Sequence, residues 1–412
     1  MRPGRECIPF FNHNRNPIFI SRRRIAPVRR VLIAVCLGAV MAACARPGPR
    51  TGGGETRVVP GTLESTPGSV FTRGASVAPS QAGAGPIKIL FAGDTHFQWG
   101  VSDLQKSAGL LAPVQELAPF FHAADFRILN LETSISDQGA PFLRKSYIFN
   151  APPESVRLLE YLQVDLAVLG NNHSMDMGGK GMERTLRALR RVGIGAVGVG
   201  PNSSEAPGPF RFNVGGVRFA VLSYTGVGET ETFSTRSGPG VASMHDRAIF
   251  QHVRAARRDV DQLIVSLHWG NEYYPRTDRA QIALARNLID AGATAVVGHH
   301  PHVPQGVEVY RGGVICYSLG NFLFGSINED QTHNMVIQLE VEPKKKQIAQ
   351  LRVMPIVGRY RDAADHRLRP LPAADSREFW EEFYTLSRDL SAATVKSMRV
   401  HPDGTATISV NQ

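Results

Sequence analysis

Five short motifs built on Asp, Glu, Asn and His constrain this chain more than anything else in it. They are Gly93-Asp94-Thr95-His96, Asn130-Leu131-Glu132, Gly170-Asn171-Asn172-His173, His268-Trp269-Gly270 and Gly298-His299-His300-Pro301-His302. Four of the five follow directly on a short apolar run. Continuous apolar runs are the pattern of strands covered on both faces, and residues 87–92, 126–131, 164–169, 217–223, 262–267 and 294–297 all read this way. Helical faces lie between them: Met182, Leu186, Leu189 and Val192 share one, and Leu284, Ala285, Leu288 and Ile289 form another. Gly193 and Gly292 are suitable helix stops. In open α/β sheets ligands gather beyond the carboxyl ends of the strands. Five ligand-bearing motifs in such positions therefore predict a metal centre at the edge of an α/β sheet.

Beyond residue 334 the pattern turns to β. Runs at 335–341 and 350–355 flank a polar stretch at 342–347. A helix is expected over 376–390, followed by a hairpin (397–400 and 405–410) turning at Asp403-Gly404. Together the elements predict a mixed β sandwich with helices outside.

The net charge of +10 is unevenly placed. Residues 1–43 hold eight Arg and one Glu, leaving 38 Lys and Arg against 35 Asp and Glu in the remainder. A basic balance ordinarily points to nucleic acid or a membrane surface. Here it describes a leader, so the nucleic-acid class is set aside. Arg22, Arg23, Arg24, Arg29 and Arg30 precede an uncharged run of thirteen residues, 31–43, the length of a signal core and too short for an ordinary transmembrane helix. It ends Met41-Ala42-Ala43-Cys44, which resembles a bacterial lipobox with Cys44 as the lipidated residue; ordinary cleavage near Ala43 is the alternative. The expectation is an exported protein anchored by lipid to a membrane of the cell envelope. Residues 45–85, rich in Gly, Pro, Ser, Thr and Ala, bury too little to fold and read as a disordered tether. One folded domain is then expected over 86–412. With Cys44 lipidated and the leader removed, Cys316 is the remaining cysteine. It sits in an apolar run as a small buried hydrophobe.

Taken by residue type alone, Asp94 and His96 stand at i and i+2 past a strand and can face one crevice. His300 and His302 repeat that spacing. Glu132 ends the next strand and can bridge two cations. Asn172 offers a neutral oxygen, His173 beside it a proton donor or acceptor, and His268 ends another strand. Two divalent ions a few ångströms apart suit displacement at a phosphoester. Nitrogen and oxygen donors without thiolate suit Mn, Fe or Zn.

The motif set resembles the CapA-type capsule-synthesis family, the poly-γ-glutamate synthesis accessory proteins. The resemblance rests on His268-Trp269-Gly270-Asn271-Glu272-Tyr273, on Gly298 to Gln305, on Tyr317-Ser318-Leu319-Gly320-Asn321-Phe322, and upstream on Gly93-Asp94, Asn130-Leu131-Glu132 and Gly170 to Asp176. It covers about 87–341. That family is similar to calcineurin-like metallophosphoesterases, which implies an α/β (α+β) fold: a four-layer αββα sandwich with metals at the ends of the central strands. The resemblance implies Asp94, His96, Glu132, Asn172, His268, His300 and His302 as metal ligands, with His299 able to replace either neighbour, and His173 as the group that protonates the leaving oxygen. It implies as partners an anionic envelope polymer of the poly-γ-glutamate type or a phosphoester substrate, and a membrane-embedded polymer synthase. Catalyst and non-catalytic accessory subunit both remain open, as does an amidase cutting γ-glutamyl bonds.

Several residues have plainer roles to weigh. Asn171 can simply cap a turn. Trp269, Tyr273 and Tyr274 read as core or pocket wall. Lys145, in Arg144-Lys145-Ser146-Tyr147, is either solvated or a binder of substrate anions. Gly320 is expected to permit a tight bend near the site.

Overall fold

The structure, a computed structural model, describes residues 85–326, 332–358 and 365–410. The leader 1–44 with Cys44, and all of the 45–85 segment but Gly85, lie outside the described residues. Two large sheets dominate. In chain order their strands are β1 (Ile87–Thr95), β2 (Phe126–Leu131), β3 (Leu166–Val168), β4 (Gly195–Val197), β5 (Phe210–Val214), β6 (Val217–Thr225), β7 (Gln262–His268), β8 (Ala295–His299), β9 (Val307–Tyr310), β10 (Gly313–Cys316), β11 (Asn334–Glu342), β12 (Gln347–Ile356), β13 (Met398–Val400) and β14 (Ala406–Ser409). The larger sheet has the order β13-β14-β12-β11-β1-β2-β3-β4, the smaller β9-β10-β8-β7-β6-β5. β1 to β4 run parallel, as do β6, β7, β8 and β10, while β11 joins β1 antiparallel.

Alternation along each strand builds the layers. Ile87, Ile89 and Phe91 of β1 face the smaller sheet, whereas Leu90 and Ala92 face helices on the other side. Phe219 and Val221 of β6 point inward, and Ala220 and Leu222 pack outward against Val253 and Leu288. The result is helix, sheet, sheet, helix: the α/β four-layer sandwich the motifs implied. The helices Val156–Tyr161 and Gly178–Arg191 cover the larger sheet, and Ile249–Arg257 and Arg279–Asp290 cover the smaller. Arg377–Leu390 joins the inter-sheet core through Phe379, Trp380 and Phe383.

The two sheets meet in an aromatic stack. Phe126 of β2 lies 3.7 Å from Phe212 of β5, and Phe212 lies 4.8 Å from Phe219 of β6, all nearly coplanar. Removing the middle of such a stack loses its transfer free energy and leaves a cavity. Phe212→Ala is expected to lower stability by about 3–5 kcal/mol in denaturant unfolding. A loss under about 1 kcal/mol would show that the sheets do not depend on this contact.

Several strands run further than the apolar pattern suggests, while β3, β13 and β14 fall short of 164–169, 397–400 and 405–410. β1 continues through Asp94 and Thr95, β7 through His268 and β8 through Gly298 and His299. Ladder hydrogen bonds do not stop at the first polar side chain, so Asp94 and His268 are held by strand backbone, while Glu132, Asn172, His300 and His302 lie in the loops just beyond strand ends. Gly193 and Gly292 sit just past their helices with φ of 78° and 118°, as expected of helix stops. Cys316 is buried and unpaired.

Candidate metal centre

The motifs converge where the carboxyl ends of both sheets meet. Asp94, Glu132 and His302 bring donor atoms within 4.8 Å of one another; so do Glu132, His268 and His300, and so do Glu272, His300 and His302. These groups come from strand ends far apart in sequence, and their approach needs backbones without side chains between them. A β-carbon on Gly93 would overlap the Gly320 carbonyl, and one on Gly298 would overlap the Tyr317 carbonyl. The segment Ser318–Phe322 runs beside the end of β1, with Asp94 N donating to Gly320 O (3.0 Å) and Phe322 N donating to Asp94 O (2.8 Å). Gly320 makes this possible with a φ of 70°.

Polar neighbours fix the donors. Asn130, on β2, places its amide nitrogen 2.8 Å from Asp94 Oδ1 and 3.3 Å from His268 Nδ1. Asn171 donates to Asn130 Oδ1 and Leu131 O and accepts from His173 N and Ser174 Oγ, so it caps its turn and ties that turn to β2. His300 N donates to Asp94 Oδ2 (3.2 Å), and His302 Nδ1 lies 2.9 Å from Asn321 Oδ1 and 3.1 Å from Asp94 Oδ2. His300 and His302 both have left-handed backbones, φ 96° and 58°. Non-glycine residues in that region cost roughly 1–3 kcal/mol each and gather at functional sites.

Buried polar atoms normally find hydrogen bonds. In this cluster Glu132 Oε1 and Oε2, Asn172 Oδ1, His268 Nε2, His299 Nδ1 and His300 Nδ1 have no hydrogen-bond partner. Burial pushes the Glu132 carboxyl well up, and the charge of Asp94 adds to this. It pushes His268 well down and His300 down to about 3, which keeps both imidazoles neutral. Burial opposes charge on Asp94 as well, yet the approach of His299 and His302 holds that carboxyl well below the usual range. His302, also buried, is raised to about 9 by Glu132 and Asp94. Neutral imidazoles and unsatisfied carboxylate oxygens on one small volume are what a divalent cation satisfies, and with no thiolate among the donors the set fits Mn, Fe or Zn.

His96 and Lys145 have neighbours that spacing alone did not show. His96 joins none of the three donor groups, yet its buried Nε2 has no hydrogen-bond partner. Its backbone nitrogen bonds Leu323 O (2.8 Å), and its ring is stacked on Phe149 (4.4 Å) and edged by Phe324 (4.0 Å) and Trp99 (4.8 Å), while Nδ1 accepts from Gln98 N. Lys145 turns inward rather than to solvent: its amine lies 2.7 Å from Asp176 Oδ1 and 2.6 Å from Asn172 O. Of the aromatics, Trp269 is core, bonding Tyr317 O (2.9 Å), whereas Tyr274 is exposed.

His173 lies just beside the donor cluster. Its Nε2 stands 3.9 Å from Glu132 Oε1 and its Nδ1 2.6 Å from Asp176 Oδ2. Asp176 is held by Lys145 and by Phe149 N (2.7 Å). Sequence reasoning assigned no role to Asp176, Asn130, Asn321 or Glu272. The i+3 spacing of Asp176 from His173 was the available signal. The others become partners only through contacts between strands.

The chain is similar to several known proteins. The profile of the bacterial capsule synthesis protein PGA_cap family matches residues 88–326. The capsule biosynthesis protein CapA of Bacillus anthracis is 30% identical over 245 residues, covering 58% of this chain and 60% of its own length. The PGA biosynthesis protein CapA of Bacillus subtilis is 33% identical over 240 residues, covering 58% and 63%. A probable polyglutamine synthesis accessory protein of Mycobacterium tuberculosis is 34% identical over 210 residues, covering 48% and 55%. The chain thus spans about three fifths of the length of these relatives. Among solved structures, a 5'-nucleotidase precursor of Thermus thermophilus aligns with 74% of this chain and 59% of its own at 15% identity and a TM-score of 0.41. A calcineurin-like phosphoesterase of Bacillus subtilis aligns with 63% and 86% at 15% identity and a TM-score of 0.36. With the family profile spanning every ligand-bearing motif, this chain belongs to the bacterial capsule synthesis protein PGA_cap family.

Proposed function

We propose that this protein is a metal-dependent hydrolase-type component of capsule-polymer assembly, acting on an anionic polymer of the poly-γ-glutamate type. The observation that carries the reading is the set of buried, unpartnered donors on Glu132, Asn172, His268 and His300, together with Asp94 and His302 beside them. These six residues would hold two divalent ions. When bound, the ions would supply charge neutralisation and Lewis-acid polarisation at the scissile phosphoester or γ-glutamyl amide.

The remaining steps fall to the protein. Asp176 orients the His173 ring by taking Nδ1, which leaves Nε2 on the Glu132 side to pass a proton to a leaving group. Lys145 holds Asp176 in place from behind. His96, boxed by aromatic rings and with its buried Nε2 unpartnered, would complete the donor set from the Asp94 side. The names of the relatives place them in capsule and PGA biosynthesis, and this supports the choice of polymer.

The test is metal analysis of the full chain with turnover of p-nitrophenyl phosphate and of poly-γ-glutamate. Stoichiometric Mn, Fe or Zn with turnover of either substrate is expected; a metal-free, inert protein would end the reading. A second reading, a non-catalytic accessory subunit binding the polymer or a membrane-embedded synthase, is favoured by the accessory role in the name of the Mycobacterium tuberculosis relative. Metal without turnover of any polymer or phosphoester is its expected result.

Export belongs to the same proposal. Cys44 is taken as the lipidated first residue of the mature protein, on the strength of Ala42-Ala43-Cys44 behind the basic and apolar leader. Mass spectrometry of the mature N-terminus is expected to find a diacylglycerol-modified Cys44; an unmodified cysteine there would rule the anchor out.

A further inference from the structure

We propose that Glu272 is a metal-binding carboxylate of this centre, entering from the solvent side and holding an outer divalent cation together with His300 and His302. The inference rests on the metal-centre reading above and adds to it a ligand that no strand end supplies.

Glu272 brings its carboxylate within 4.8 Å of ligand atoms of both histidines. It is exposed, whereas His300 and His302 are buried and His300 Nδ1 has no partner. A solvated carboxylate has no need of two buried imidazoles, and holding it there takes specific backbone. The Gly270–Tyr273 loop is fastened to the histidine loop by Tyr273 N donating to Pro301 O (2.7 Å) and by Trp269 N donating to His299 O (3.0 Å). Left-handed conformations occur on both sides of this contact: Gly270 at 86°, Tyr273 at 57°, His300 at 96° and His302 at 58°. Three of the four carry side chains, so the strain is stored in the pair of loops that brings the three donors together.

His300 belongs to two donor sets: Glu132 and His268 on the inside, Glu272 and His302 on the outside. The outer set has three protein donors, one on the solvent side. Three protein ligands with an open position are the arrangement of metals that meet substrate. Glu272 thus makes the outer cation the one that faces an incoming anionic group.

The experiment is a Mn2+ titration of the chelator-stripped full chain, with free Mn2+ read by its electron paramagnetic resonance signal. Wild type, Glu272→Gln, Glu272→Asp and the control Glu342→Gln, at the end of β11 that pairs with the start of β1, are compared. Wild type is expected to take up two equivalents. Glu272→Gln is expected to keep one and to bind the other at least about 10–100-fold more weakly. Glu272→Asp, which keeps the charge but shortens its reach, is expected to weaken the same site. Glu342→Gln is expected to match wild type. If Glu272→Gln binds as wild type does, Glu272 is not a ligand. If Glu272→Asp alone binds as wild type does, the carboxylate acts only through its field and the assignment fails. Failure of wild type itself to bind Mn2+ would remove the metal-centre reading, and this inference with it.

Discussion

His173→Ala is expected to lower turnover by about 10²–10⁴-fold while leaving metal content at the wild-type level. The separation follows from geometry. His173 belongs to no donor group, yet its Nε2 is 3.9 Å from Glu132 Oε1, so it shares the pocket without holding an ion. Its other nitrogen is committed to Asp176, which is itself held by Lys145. The alanine variant loses the proton donor and leaves every proposed metal donor in place. His268→Ala is expected to do the opposite: it removes a donor whose Nε2 has no hydrogen-bond partner, and metal content should fall with activity. Metal analysis and initial rates on both variants decide the matter. Equal metal loss in the two would place His173 among the ligands. Full turnover in His173→Ala would remove it from the chemistry.

Gly298→Ala is expected to cost at least about 3 kcal/mol, among the larger effects of a single methyl group. Gly298 lies on β8, where the Trp269 indole reaches over to bond Tyr317 O at 2.9 Å. A β-carbon there meets that carbonyl and the indole nitrogen together. Neither is the free end of a flexible chain, so two strands or a buried hydrogen bond must give way. A fall in Tm of roughly 6 °C or more is expected by differential scanning calorimetry, or loss of soluble protein. Gly216→Asn is the comparison. Its φ of 80° is one asparagine tolerates, and nothing lies near the added atom, so its Tm should stay close to wild type. A Gly298→Ala protein as stable as Gly216→Asn would mean that the sheet relaxes there freely.

Much of the fold was legible because the central strands are buried on both faces and therefore read as unbroken apolar runs. β2 falls where the run 126–131 places it. β4, β5, β9 and β10 were not assigned, for identifiable reasons; β4 is a three-residue edge strand. β5 is an edge strand whose Phe-Arg-Phe-Asn-Val alternates buried and less buried positions. β9 and β10 are four residues each, joined through Arg311 and Gly312, both left-handed. Short strands carry little periodic signal, and their pairing partners decide them.

For the site, the local sequence determined which residues end strands: Asp94, Glu132, His268 and the histidines from 299 to 302 follow from where apolar runs stop. Their glycine neighbours were equally visible, though not the reason for them. Only the tertiary structure decided which donors come together. His96 keeps the i+2 spacing that suggested a ligand, and a backbone hydrogen bond to Leu323 sets it among Phe149, Phe324 and Trp99 with Nε2 unpartnered. Lys145 read as either solvated or a binder of substrate anions, and the fold pairs it with Asp176. Glu272, two residues beyond a glycine in a loop, gains its place from one hydrogen bond between Tyr273 and Pro301. Spacing along a chain sets which side chains can point one way over a few residues. The approach of residues tens to hundreds of positions apart depends on strand order and on glycines that let backbones touch, and no local pattern encodes that.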